Sequence, residues 1–299
     1  MRIGVTGASG LIGQAFSKLA IASGHEIVAY SRGPNGPAMT GMTSLQTPAD
    51  NAYRIPETRL DALVHLAGES LNGLWTQSRR ERIWKSRVDL TRSMMSHVGS
   101  WREENRPAIL LAGSGIGFYG SRGDTLLDEN TSGGEGFLAG LCNQWEEAAR
   151  HASQWNARVV HLRTSMVIAK EGGAYPLLRR IFRCGLGGKL GTGRQWMSWI
   201  HVEDQAALML LALESSQIQG PLNLCSPVPE LNSNFTEKLA QHLHRPAVLP
   251  APAWGLRLLL RGMADEMLLC SQRGAPAAAT QHGYRFAYPR LEDALASLE

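Results

Sequence analysis

The sequence predicts a doubly wound parallel α/β sheet with a smaller C-terminal α/β lobe, on three observations. A short apolar strand runs into a Gly7-x-x-Gly10-x-x-Gly13 turn, then a helix and a second strand. Further apolar runs at 60–69, 107–120 and 159–168 recur along the chain, and the first two are separated by an amphipathic helix. The 299 residues, 43% hydrophobic and 19% charged, supply enough ordinary globular chain for a large domain and a lobe.

The first unit is the most informative. Its strand begins at residue 2, and its helix carries Leu11, Ile12, Ala15, Phe16, Leu19 and Ala20 on the apolar side. Gly24 ends that helix, and Glu26 to Tyr30 form the second strand. Glycines at such a turn let the backbone approach a pyrophosphate, whose charge is met by N–H groups at the helix N-terminus. Gly7, Ser9, Gly10, Leu11, Ile12 and Gly13 are therefore candidate dinucleotide contacts. The second strand ends in Tyr30-Ser31-Arg32-Gly33, with no acid to accept from a ribose 2′-hydroxyl; Glu26 comes too early. A hydroxyl and a guanidinium suit a 2′-phosphate, so Ser31 and Arg32 predict NADP(H) rather than NAD(H). A solvated surface arginine is the other reading of Arg32.

The run 60–69 reads as a buried strand whose end, Leu66-Ala67-Gly68, belongs beside the cofactor, because strand carboxyl ends line the ligand crevice. In the next helix Ile83, Arg87, Leu90 and Met94 follow i, i+4, i+7 and i+11, which puts Arg87 on the apolar stripe. A buried cation needs an anion: a cofactor phosphate, or a carboxylate of the chain itself. Arg82 lies off the stripe and is the weaker contact. The 107–120 strand and turn place Ser114 and Tyr119 near the same crevice, and the 159–168 strand ends with Val167 facing it.

These segments, with VTGASGLIG, HLAGE, GFYG followed by LLDENT, and the late WIHVEDQAALMLLAL and PLNLCSP, resemble the extended short-chain dehydrogenase/reductases. SRVDLT, FLAGLCNQWE, GLGGKLGTGRQWMSWIHVED and HRPAVLPAPAW narrow the resemblance to the atypical, YfcH-type (SulA-related) sugar-epimerase family, over essentially the whole chain. That resemblance implies a Rossmann-type NADP-binding domain over residues 1–168 and a substrate lobe over 169–299. Within the second part, about 196–226 would pack back on the first, and about 248–296 would form a C-terminal module of undefined role. It also implies cofactor contacts at Ser31, Arg32, Leu66, Ala67, Arg82, Arg87 and Val167, of which Arg82 and Val167 rest chiefly on it.

The superfamily's chemistry uses a Tyr and a Lys one helical turn apart, the lysine lowering the tyrosine pKa for proton exchange during hydride transfer. Their place here falls in GFLAGLCNQWEE, where the positions hold Phe137 and Leu141, or Leu138 and Cys142 one residue along. By its spacing this is a core helix, with Phe137, Leu138, Leu141, Trp145 and Ala148 on one face and Asn143, Gln144 and Glu147 opposite. Ser114 and Tyr119 are the remaining candidate catalytic groups. Cys142, beside Trp145, reads as inert. His201 and Asp204 read as a helix cap and packing pair.

On the substrate side, Lys189, Arg194, Trp196 and Trp199 offer cations and ring faces to a sugar or a nucleotide diphosphate, or else fill core and loop. The apolar and basic alternation over 252–270 suits a helix that closes a lobe or a dimer contact, and APAAAT at 275–280 reads as loop. The +4 charge is too slight and dispersed to imply nucleic acid. No apolar run is long enough for a membrane span. No metal site is expected, since His242 and His244 have no third ligand close in sequence. Four scattered cysteines and no targeting segment ahead of the first strand suggest a reduced, cytoplasmic monomer or homodimer. Two functions are compatible with these features. One is an NADP(H)-dependent epimerase or oxidoreductase of atypical mechanism acting on a small polar substrate, a nucleotide sugar among the options. The other is a non-catalytic NADP(H)-binding regulatory or redox-sensing protein.

Overall fold

A computed structural model describes residues 1–32, 40–48 and 54–299. Seven strands form one parallel sheet: β1 Arg2–Thr6, β2 Glu26–Ser31, β3 Met42–Gln46, β4 Ala62–His65, β5 Ile109–Gly115, β7 Arg158–Thr164 and β11 Gly220–Leu224. Their order is β11-β7-β5-β4-β1-β2-β3, so the chain winds outward from β1 in one direction and then returns to build the other side from β4. Short strands pair elsewhere: β6 Leu126–Leu127 with β13 Arg273–Gly274, β8 Met166–Ile168 with β10 Trp199–His201, and β9 Trp196–Met197 with β12 Glu230–Leu231. The helices are α1 Leu11–Ala22, α2 Gln77–Trp84, α3 Leu90–Gly99, α4 Phe137–Arg150, α5 Tyr175–Arg183, α6 Val202–Glu214, α7 Asn232–Leu243, α8 Ala253–Leu260, α9 Ala277–Gln281 and α10 Leu291–Ala296.

The pleat sorts the sheet's side chains into two cores. Ile3, Val5, Ile27 and Ala29 point to the face covered by α1 and α6, with Phe16, Ala20, Leu208 and Met209. Val28, Tyr30, Leu63 and Leu110 point to the other face, against Met94, Met95 and Val98 of α3 and Ala149 of α4. A third core lies under the C-terminal part, where Trp199, Tyr175 and Phe182 meet Phe235 and Leu239 of α7 and Leu291 and Leu295 of α10.

Three elements differ from the sequence expectation. The 159–168 run is two strands: at Ser165 both the amide and the hydroxyl donate to the Leu224 carbonyl, and the chain leaves the main sheet for β10. The 275–280 segment is not a plain loop, because its alanines, the best helix formers, build α9 and bury Ala279 completely. The helix around Arg87 is interrupted by a π-helical turn, Lys85–Asp89, between α2 and α3. A π turn carries an extra residue per turn and is frequent at functional sites.

The late WIHVED segment fastens the C-terminal part to the body. His201 caps α6, accepting from the Glu203 amide at 3.3 Å. Buried Asp204 accepts from Tyr284 Oη at 2.7 Å and from the Ala287 and Tyr288 amides at 2.8 and 2.9 Å.

Candidate functional site

A crevice of about 420 Å³ opens at the carboxyl ends of β1, β2 and β4, where the winding of the sheet changes direction. Thr6, Gly7, Ser9, Gly10, Tyr30, Arg32, Leu66, Ala67 and Gly68 line it, with Thr47, Ile55, Glu69, Ser86, Leu90 and Met94. Gly7 has φ +74°, and a Cβ there would stand 2.9 Å from the Leu66 carbonyl carbon. A Cβ on Gly13 would stand 2.3 Å from the Gly7 oxygen, so only glycine lets α1 sit this close to the turn. Gly10 N-caps α1 without a side-chain hydrogen bond. The amides of Leu11, Ile12 and Gly13 thus face the crevice end of the helix with no partner inside it. Arg32 is exposed at the crevice edge, and the Ser31 carbonyl accepts from Thr47. Gly33 lies outside the described residues.

Arg87 sits in the π turn and is only 9% exposed. One face of its guanidinium lies 5.2 Å from the Trp145 ring centroid, and a Cβ on Gly68 would lie 3.3 Å from its Cζ. Among the described residues no carboxylate pairs with it; its one hydrogen bond goes to Ser86 Oγ at 3.4 Å. Burial lowers its pKa from the usual guanidinium value. Arg82 is half-exposed and lies 3.4 Å from Glu69, which Arg79 also binds. Val167 is placed apart from the crevice lining, in the core cluster against which Leu11 at the start of α1 packs: its carbonyl accepts from Ala174, and a Cβ on Gly173 would stand 3.2 Å from Leu11.

Behind Arg87 runs a buried chain of hydrogen bonds. Trp145 Nε1 can only donate, and it does so to Thr91 Oγ1 at 3.0 Å. Thr91 lies 2.9 Å from His65 Nε2, and His65 Nδ1 lies 2.7 Å from Thr6 Oγ1 at the crevice. Burial pushes His65 down to about 4.

Ser114 and Tyr119 are brought together, but into a closed network. Ser114 Oγ donates to Glu146 Oε1 at 2.8 Å, and Arg163 grips both Glu146 oxygens at 2.8 and 3.0 Å. Arg163 also donates to Tyr119 Oη at 2.9 Å, and Tyr119 Oη lies 2.8 Å from both Asn223 Oδ1 and the Asp128 carbonyl. Tyr119 is fully buried, and that burial pushes its phenol up to about 12. Burial opposes ionisation of Glu146, but the Arg163 hydrogen bonds and charge outweigh it and hold the carboxyl below its usual value. The sequence reading missed Glu146 because it stands next to Glu147 on what looked like a polar edge. Its signal is Arg163, a cation inside an apolar strand as Arg87 is one on the apolar stripe of a helix.

Helix α4 has no Tyr or Lys at the relevant turn. Leu138, Leu141 and Trp145 are buried against Trp75, Ile83 and Val88, and Met263 and Met267 of the C-terminal part pack on the same cluster. Cys142 is buried, and its thiol is pushed up to about 11. From the far end of the chain, Glu266 accepts from the Phe137 and Leu138 amides at 3.1 and 2.6 Å. A cavity of only about 80 Å³ remains between this end of α4 and residues 265–272.

The substrate-side candidates do not converge. Trp199 is core, its indole bonded to the Val228 carbonyl. Arg194 and Trp196 line one surface hollow, where Trp196 is bonded to Asp124 and covered by Arg273. Lys189 lines a different groove beside α7.

The glycine turn, the sheet order and the crevice at the winding switch define a dinucleotide-binding α/β protein of the extended short-chain dehydrogenase/reductase type. The chain belongs to the NAD dependent epimerase/dehydratase family, whose model matches residues 3–225, and residues 251–298 match a domain of unknown function, DUF1731. It is 34% identical to the epimerase family protein YfhF of Bacillus subtilis over 302 residues, 100% of this chain and 98% of that one. The human epimerase family protein SDR39U1, solved with NADPH, superposes with a TM-score of 0.89 at 31% identity, covering 100% of this chain and 99% of that one. A nucleoside-diphosphate sugar epimerase from Corynebacterium glutamicum gives a TM-score of 0.78 at 32% identity, with 99% of this chain and 57% of that one covered.

Proposed function

We propose that this chain binds NADP(H) in the β1–β2–β4 crevice and exchanges hydride with a small polar substrate, of the nucleotide-sugar class, without the Tyr–Lys acid–base pair. The observation that carries the reading is Arg87, a buried cation packed against Gly68 of the crevice lining, with no carboxylate in ion-pair contact among the described residues. Among carboxylates, only the more distant charge of Glu69 favours the ionised guanidinium; a buried cation without a directly bonded anion is costly, and a cofactor phosphate would supply one. In this reading the Gly7–Gly13 turn and the first amides of α1, with Ser9, Leu11 and Ile12, hold the diphosphate. Ser31 and Arg32 take the 2′-phosphate, Leu66, Ala67 and Gly68 admit the cofactor closely, and Arg82 contacts it at the margin, as does Val167 where the cofactor runs beyond the crevice past the start of α1. NADPH bound by the human relative supports the choice of cofactor.

A specific observation favours the second reading, a non-catalytic NADP(H)-binding regulatory or redox-sensing protein. Ser114 and Tyr119, the remaining hydroxyl candidates, are committed to the Glu146–Arg163 network, and a phenol near 12 is a poor proton carrier at neutral pH. Single-turnover oxidation of bound NADPH with nucleotide sugars, quinones and aldehydes separates the two. Turnover with one class supports hydride chemistry. No turnover with any class, together with a partner whose affinity differs between NADPH and NADP⁺, supports the sensor. For location, no helix among the described residues is long and apolar enough to cross a membrane. We place the protein in the cytoplasm, although one Arabidopsis thaliana relative is named chloroplastic.

A further inference from the structure

Helix α8, Ala253–Leu260, has no buried residue. Trp254, Leu258 and Leu259 are 71%, 75% and 69% exposed, and nearby Val248, Leu249 and Leu186 are 73%, 52% and 63% exposed. Six of the eleven large hydrophobic side chains exposed among the described residues are therefore gathered in one region. The backbone joins them. Leu249 and Ala251 donate to the Gly187 and Lys189 carbonyls at 3.3 and 2.9 Å, and Gly191 donates to Ala251 at 2.8 Å. The 186–191 and 248–251 segments thus run side by side into the start of α8. Along the same edge, between α7 and residues 244–250, lies an open groove of about 910 Å³, to which Val248 and Pro250 contribute.

We propose that this surface is the two-fold interface of a homodimer, with Trp254 and Leu258 of one protomer seated in the groove beside α7 of the other. Three features favour a second copy of this chain over other occupants. First, six large apolar side chains, each more than half exposed, are carried by two hydrogen-bonded segments and the helix that follows them, a concentration that marks an interaction surface. A standard interface buries ~800 Å² per partner, somewhat over half of it apolar, and an apolar centre of this kind inside a polar rim is the surface such an interface needs. Second, Val248 belongs both to the exposed apolar set and to the groove lining, so projecting side chains adjoin a receiving groove, the self-complementarity a two-fold contact requires. Third, the charges are mixed. The groove carries Lys189 and Arg245 but also Glu237, and Arg257 on α8 is paired with Asp265 at 2.8 Å. An anionic lipid surface is better matched by a patch of one basic sign. The outward face of α4 offers no rival apolar surface, since Asn143, Gln144, Glu147 and Arg150 occupy it.

Sedimentation velocity across ~1–100 μM tests this, ~100 μM being high enough to populate even a weak dimer. The wild type should sediment as twice its 32.6 kDa chain mass at the upper concentrations. Trp254→Glu with Leu258→Glu should weaken association at least ~30-fold, the loss expected from a hot-spot tryptophan, with circular dichroism unchanged. A milder Leu258→Arg variant gives the same reading should the double variant fold poorly. A wild type that stays monomeric throughout overturns the proposal, and so does a dimer that survives these substitutions in folded protein. Binding of the wild type to phosphatidylserine vesicles, lost in Trp254→Glu, would overturn it in favour of a lipid surface.

Discussion

Arg87 is the residue on which the cofactor reading turns, and its burial makes an unusual pair of outcomes testable. Arg87→Met removes a desolvated charge with no carboxylate partner, so the ligand-free protein should become more stable, by about 1–3 kcal/mol. The same variant should lose NADPH affinity by at least ~10-fold, the equivalent of one charge-assisted hydrogen bond. Thermal melts with and without NADPH check both, and a variant destabilised without cofactor would show that Arg87 serves the fold instead. Arg32→Ala should lower NADPH affinity by about 10- to 100-fold while leaving NADH binding within about twofold, because only the 2′-phosphate is lost to it. Fluorescence titration with both cofactors reads the ratio. Tyr119→Phe should destabilise by about 1–3 kcal/mol, since Arg163 and Asn223 lose a buried partner, yet leave NADPH affinity unchanged.

At the scale of elements, α4 explains why a helix that keeps the family's position lacks its chemistry. Its inner face is used for packing: Trp145 supports the Arg87 guanidinium, Leu138 and Leu141 meet the 71–88 region, and Glu146 anchors Arg163. Its N-terminus has only Gly136 as a cap, and Glu266, 129 residues away from Phe137 in sequence, accepts the first amides instead. A carboxylate at that end also meets the positive pole of the helix dipole. Glu266→Gln should therefore cost about 1 kcal/mol, and Glu266→Ala about 1–2 kcal/mol. Urea unfolding measures the difference, and a neutral effect would mean that the amides find other acceptors.

For the whole molecule, the interior charges set an acid limit on stability. Burial pushes both His65 and His161 down to about 4 in the folded state. Unfolded imidazoles titrate near 6.5, so between roughly pH 6.5 and 4 the unfolded chain binds protons that the folded chain refuses. Stability should be complete above that window and fall as pH drops through it, by on the order of 1–2 kcal/mol per histidine at pH 5. Glu146, held ionised by Arg163, adds a further loss at lower pH, where its carboxyl is forced to protonate. Melts at pH 7 and pH 5 should show a smaller drop for His161→Gln than for wild type; equal drops would remove His161 from the account.

Local rules were enough for the glycine turn, the alternation of strands and helices, and the burial of Arg87, because each is a short-range pattern of period or of a residue out of place. The α/β class, the dinucleotide-type turn and the absence of a Tyr–Lys pair on α4 are all legible in the order of residues alone. What the polar residues around that helix do follows from the folded packing instead. Arg163, Glu146, Ser114, Tyr119 and Asn223 meet across three strands, a helix and a turn, and no spacing along the chain encodes their contacts. The break at Ser165, the π turn under Arg87 and the bare face of α8 are of the same kind. Each depends on which distant segment supplies or withholds a partner, and therefore on packing rather than on local propensity.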